Sequence, residues 1–219
     1  MNYKAIVFGS IGVIAETSEL QRQCFNDALE EAGVERAFEA ETYRELLQDS
    51  GGRRRLASLL RSTEEDPAVI AIHRRKTARF QERLREGNYL KPDFGVFVQH
   101  ASTAGITLAI ASTTYAATIA ALLEQGSKVS ATDFKVILSS DDVEHPKPAP
   151  DVYIECCARL GVSPHEVLVF EDSVPSVEAA LGAGVACCFM PGEFHRGRSC
   201  DGVASTYTSF AEAAQDLLP

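Results

Sequence analysis

Four short stretches carry residues able to act on an anion: Gly9-Ser10-Ile11, Ser112-Thr113-Thr114, Lys147-Pro148-Ala149-Pro150-Asp151 and Glu171-Asp172-Ser173. A hydroxyl and an ammonium bind phosphate oxygens, and hard carboxylate oxygens suit a divalent cation such as Mg²⁺. Each stretch also has an ordinary reading. Ser112 could cap a helix, the Lys147 run could be a proline turn, and Glu171-Asp172 could be an acidic strand end. Their combined force comes from position, because each falls just past an apolar run of strand length. In an open parallel sheet the C-terminal strand ends share one crevice.

The elements that must position these groups are legible from periodicity. Ala5-Ile6-Val7-Phe8 reads as a buried strand that breaks at Gly9 and Gly12, with Thr17 or Ser18 as the N-cap of the helix that follows. Leu20, Cys24, Phe25, Ala28 and Leu29 recur at helical spacing over 17–33, and Gly33 marks the stop. From 39 to 87 the pattern stays helical, with no strand-like alternation. Leu90-Lys91-Pro92 then leads into a helix running to about Ala104. Strands are expected at 106–112, 134–138, 167–170, 185–189 and weakly at 203–207. Helices are expected at 115–125 (stopped by Gly126), 150–160 (closed by Gly161), 174–183 and from 209. Strands alternating with helices imply a parallel sheet with right-handed crossovers. The expected fold is therefore α/β: a Rossmann-like core from residues 1–15 and 90–219, with a helical cap of residues 16–89 inserted after the first strand.

Composition narrows the function. The 219 residues suffice for an α/β core plus a small inserted unit, and 45% hydrophobic with 24% charged residues is ordinary for a globular protein. A net charge of -10 argues against a nucleic-acid partner, since phosphate-backbone binding needs clustered Lys and Arg. The run Arg53-Arg54-Arg55 is a local exception. No apolar run is long enough to span a bilayer, so no membrane partner is expected. Met1-Asn2-Tyr3-Lys4 leads into a strand without a signal-peptide pattern. The cysteines (24, 156, 157, 187, 188 and 200) form no C-x-x-C pair and are read as reduced, mostly buried thiols of a cytoplasmic protein. His73, His100, His145, His165 and His195 show no ligand spacing and are read as surface residues.

With these motifs in view, the chain resembles the haloacid dehalogenase (HAD) superfamily of phosphohydrolases, in the branch with a small helical cap near the N-terminus. Leu108-Ala109-Ile110-Ala111-Ser112 resembles the family's second motif, His145-Pro146-Lys147-Pro148-Ala149-Pro150-Asp151 its third, and Val169-Phe170-Glu171-Asp172-Ser173 its fourth. Within the superfamily it resembles β-phosphoglucomutase-like proteins and especially the xylulose-bisphosphate phosphatases of carbon-fixing bacteria. Ala15-Glu16-Thr17, Gly51-Gly52-Arg53, His73-Arg74-Arg75-Lys76-Thr77 and Met190-Pro191-Gly192-Glu193-Phe194 carry that likeness. The resemblance implies phosphate binding by Ser112, Thr113 and Lys147, a Mg²⁺ site at Glu171 and Asp172, and substrate contacts from Gln21, Arg53 and Arg55 in the cap. Gln21 stands where relatives carry a histidine.

The first motif departs from the family. Aligned on Gly12, Gly9 stands where the family has its nucleophilic aspartate, and Ile11 where it has the acid/base aspartate. Neither can do that chemistry, so no catalytic residue of the motif is intact. Ser10 has no adjacent His or acid to activate it. Losing a covalent nucleophile costs on the order of 10⁶ in rate in serine hydrolases, and a general acid is worth roughly 10²–10⁴ more. The Mg²⁺ site loses a carboxylate as well and is expected to be weakened. The resulting expectation is a sugar-phosphate-binding pseudoenzyme, with a small phosphorylated metabolite as ligand and a protein partner as a further expectation. The alternative is an active Mg²⁺-dependent phosphate-ester hydrolase with rearranged, non-aspartyl chemistry.

Overall fold

A computed structural model describes residues 3–47, 51–125 and 128–218. Six parallel strands form one sheet in the order β3-β2-β1-β4-β5-β6. They are β1 (Ala5–Phe8), β2 (Thr107–Ala111), β3 (Val136–Leu138), β4 (Val167–Glu171), β5 (Ala186–Phe189) and β6 (Ser205–Thr206). The strand order reverses at β1, so the crevice of the sheet opens between β1 and its neighbours β2 and β4.

Both faces of the sheet are covered, which is why its strands read as continuous apolar runs rather than alternating ones. Ile6 and Phe8 point into one core with Leu108, Ile110, Leu168 and Phe170. Ala5 and Val7 point into the other with Ala109, Val169, Tyr153, Cys156 and Cys187. Phe8 is the centre of the first core, its ring 5.2 to 6.3 Å from those of Phe94, Phe97, Phe134, Phe170 and Phe210. The helices of this part are α5 (Phe94–Thr103), α6 (Ala116–Leu123), α7 (Asp151–Leu160), α8 (Val174–Gly182) and α9 (Phe210–Leu217). Gly161 closes α7 at φ 71°, a left-handed turn that glycine adopts without strain. The helix stop expected at Gly126 lies outside the described residues.

Between β1 and α5 lie four helices: α1 (Ser18–Glu31), α2 (Ala40–Leu46), α3 (Gly52–Leu60) and α4 (Pro67–Glu86). They enclose a separate apolar cluster built on Phe25, Leu29, Phe38, Tyr43, Leu56, Val69 and Ile72. The separation is incomplete, because α1 and α4 also send Leu20, Cys24, Phe80 and Leu84 into the sheet's core. Thr17 does sit at the N-cap of α1, but its side chain makes no cap bond. Instead the Ser18 N–H donates to Glu16 Oε1 at 3.1 Å.

The core also reaches into the inserted helices. Phe194, on the segment after β5, is 6% exposed and belongs to the helical cluster. Its ring lies edge-on to Tyr43 at 5.9 Å, with the Arg44 guanidinium 5.7 Å from its centroid. Phe194→Ala is expected to cost about 3–5 kcal/mol, as for other buried aromatic deletions. It is also expected to make α2 and α3 more susceptible to limited proteolysis. Urea unfolding and a protease time course check both, and an unchanged cleavage pattern would show that Phe194 does not hold these helices down.

Candidate functional site

The crevice is built by the strand ends. Gly9 follows β1 and donates its N–H to Phe170 O at 3.0 Å, which sets it beside Glu171, the last residue of β4. The loop turns at once. Ile14 and Ala15 N–H groups return to Ser10 O, and Gly12 adopts φ 83°. Glycine is required at 12 on two counts. The backbone is left-handed there, and a Cβ would run into the Asp172 carboxylate.

The groups singled out as phosphate ligands are close together and internally bonded. Ser112 Oγ and Ser10 Oγ share a hydrogen bond of 2.7 Å, and the Thr114 N–H donates to Ser112 Oγ at 3.0 Å. Lys147 is 5% exposed. Its ammonium donates to Ala111 O at 3.1 Å and to the Glu171 carboxylate, and lies 4.8 Å from the ring centroid of Tyr153. Glu171, 2% exposed, accepts from both Lys147 and the Tyr153 hydroxyl. Burial, reinforced by the adjacent Glu171 charge, pushes the Tyr153 phenol well above its ordinary range, so it serves as the donor in that bond. Sequence reasoning missed Tyr153; its placement on α7, four residues beyond the turn that carries Ala149, was the available signal.

Asp172 is pushed up to about 8, first by burial and then by the neighbouring Glu171 charge. With Gly9 contributing no carboxylate and Glu171 committed to Lys147 and Tyr153, these residues do not fit a hard divalent cation, which takes several oxygen ligands. Among the described residues no group of three or more His, Cys, Asp or Glu is placed to hold a metal ion.

Thr113 and Lys147 line a cavity of about 950 Å³ between the strand ends and the inserted helices. Its lining carries Arg53, Arg54, Lys147 and Arg198 with His73, His145 and His195, against the carboxylates Glu64 and Glu178. In a chain of net charge -10 this is a local reversal of sign that concentrates anions. Arg53 of the arginine run therefore faces the cavity. Arg54 joins it, partly neutralised by Glu64 at 3.3 Å. Arg55 lies elsewhere, its guanidinium 5.7 Å over the Tyr43 ring. Gln21 is also removed from the lining: it accepts a 2.6 Å hydrogen bond from Lys76. Lys76 is buried against the faces of Phe25 and Phe80, and burial lowers its ammonium to about 7.

Contrary to the sequence expectation, two of the five histidines are not surface residues. His195 is 6% exposed and His73 half-buried, because the cavity walls fold over them; His100, His145 and His165 are exposed. Burial, aided by Arg198, lowers His195 to about 4, and burial with Lys76, Arg53 and Arg55 does the same for His73. A histidine whose folded value lies below its unfolded 6.5 contributes stability that is full above 6.5. That contribution is lost as pH falls toward 4. Melting scans should therefore show stability declining between pH 6.5 and 4, by on the order of 2 kcal/mol at pH 5 from His195 alone. His195→Asn should flatten that decline; an unchanged slope would contradict the assignment.

The family model of haloacid dehalogenase-like hydrolases matches residues 6–190. The chain belongs to that family. Protein CbbY of Cereibacter sphaeroides is 38% identical over 95% of this chain and 93% of its own, and Protein CbbY of Rhodobacter capsulatus 34% identical over 100% and 99%. The crystal structure of CbbY from Rhodobacter sphaeroides in complex with phosphate superposes with a TM-score of 0.87. It is 38% identical and covers 98% of this chain and 100% of that one. A CbbY variant from the same organism, in complex with xylulose-(1,5)bisphosphate, superposes with a TM-score of 0.86 at 37% identity and covers 96% of each chain.

Proposed function

We propose that this HAD-family protein binds a phosphorylated sugar metabolite in its basic cavity and does not catalyse aspartyl-phosphate transfer. In this reading residues 16–89 act as a cap over a core of residues 1–15 and 90–219, and the protein works in the cytoplasm, where its free thiols would stay reduced. The observation that supports the reading is the first loop: Gly9-Ser10-Ile11 offers no carboxylate where the resemblance implies two, in a loop with a tight Gly12 turn. The binding half draws support from the cationic lining and from the bisphosphate held by a 37% identical relative. An active hydrolase running on Glu171 and Asp172 with a metal would need Glu171 free, and it is paired with Lys147 and Tyr153.

Calorimetric titration with xylulose-1,5-bisphosphate, run beside a turnover panel of sugar phosphates, tests this. Binding is expected without turnover above a Ser10→Ala/Lys147→Ala control. Arg53→Ala is expected to weaken the bisphosphate about tenfold, the loss typical of one charge-assisted contact. Turnover above the control would overturn the reading.

A further inference from the structure

Glycine at residue 9 does more than leave the first loop without a carboxylate. β1 and β4 pair in parallel register with Phe8 beside Phe170, so the next residues, Gly9 and Glu171, emerge side by side. A Cβ placed on Gly9 would lie 2.6 Å from Glu171 Oε2 and 2.9 Å from both Cδ and Oε1. Contacts that short do not occur, so the Glu171 carboxylate fills the volume in which a side chain on residue 9 would begin. An aspartate's own oxygens stand roughly 2.4 Å from its Cβ, the span of one C–C and one C–O bond. The carboxylate absent from β1 is thus replaced in place by one reaching across from β4.

The same carboxylate takes the cation. Lys147 pairs with Glu171, and also contacts Ala111 O and the Tyr153 ring. Ser112, the other group suited to a phosphate oxygen, is held by Ser10 and Thr114. Lys147 and Ser112, two of the groups suited to a phosphate at the strand ends, are therefore each bonded from within the protein.

We propose that Glu171 is a built-in occupant of the anion site, which a phosphorylated ligand must displace from Lys147 before its phosphate can seat at the strand ends. This rests on the reading of the cavity as a phosphate-ligand site, and adds how that site is regulated. Gly9 and the inward pose of Glu171 are one feature: with any side chain at 9, Glu171 could not stay where it is. The ion pair is buried on both sides, and separating a buried pair costs far more than separating a surface one. Affinity for phosphate is held below what the basic lining alone would provide. Lys147 itself lines the cavity and Glu171 does not, so the exchange runs from the cavity side.

Gly9→Ala tests this with every charge retained, since one methyl group is enough to expel the flexible end of Glu171. Calorimetric titration with inorganic phosphate is expected to show at least tenfold tighter binding to Gly9→Ala than to the unmodified protein. Glu171→Gln, which removes the competing charge and keeps the shape, is expected to move the same way and decides the matter if Gly9→Ala does not fold. Phosphate bound no tighter by either folded variant than by the unmodified protein overturns the proposal. Turnover by the unmodified protein, assayed separately, would count against the pseudoenzyme reading while leaving this comparison of affinities intact.

Discussion

Gly9→Asp/Ile11→Asp is expected to hydrolyse sugar phosphates at least about 10³-fold faster than the unmodified chain when assayed with magnesium present. The figure is set below the roughly 10⁶ attributed elsewhere to a covalent nucleophile and the further 10²–10⁴ attributed to a general acid, because the rest of the site has to readjust. Gly9 is not among the residues with positive φ, so the backbone accepts a side chain there. The obstacle is Glu171, whose carboxylate must swing away from Lys147 to admit the new one. That movement would hand Lys147 a carboxylate from β1 and release Glu171 toward Asp172. Rates from a phosphate-release assay on the folded double variant, with circular dichroism as the control, check the outcome. A folded double variant with no gain would mean that the pocket, and not only the first motif, has diverged.

Lys147→Met is expected to destabilise the protein by about 3–5 kcal/mol, because it strands a carboxylate that is almost fully enclosed. The loss should greatly exceed that of breaking an exposed pair such as Arg54–Glu64, typically no more than about 1 kcal/mol. Lys147→Met/Glu171→Gln should recover most of it, since the amide oxygen still accepts from Tyr153 and carries no charge. Urea unfolding of the two single variants and the double gives the coupling between the residues. Additive losses would show that the two charges do not depend on one another in the folded state.

These outcomes depend on different levels of the chain's organisation. The parallel sheet was legible because β1, β2 and β4 are buried on both faces, which leaves unbroken apolar runs such as Ala5-Ile6-Val7-Phe8 and Val167-Leu168-Val169-Phe170. Helix limits followed from local chemistry where a residue such as Gly161 takes the left-handed conformation. They were less sharp over 39–87, where the stretch read as helical comprises α2, α3 and α4 among the described residues and periodicity alone sets no exact limits for them. The histidines misled for a related reason. His195 lies in a short polar segment that reads as surface, and it is buried in the cavity wall beside Phe194, which packs into the cluster of the inserted helices.

What the residues determined by themselves was the parallel α/β fold, the placing of Ser112, Lys147, Glu171 and Asp172 at strand ends, and a first loop, Gly9-Ser10-Ile11, without a carboxylate. These follow from residue type and from periodicity along the chain, which need no knowledge of neighbours across space. Tertiary structure alone decided which charges meet. It paired Glu171 rather than Asp172 with Lys147, aimed Arg53 and Arg54 at the cavity while laying Arg55 over Tyr43, and filled the gap at Gly9 from the adjacent strand. The physical reason is that long side chains settle according to the room and the opposite charge available within a few ångströms, and both are supplied by segments far apart in sequence.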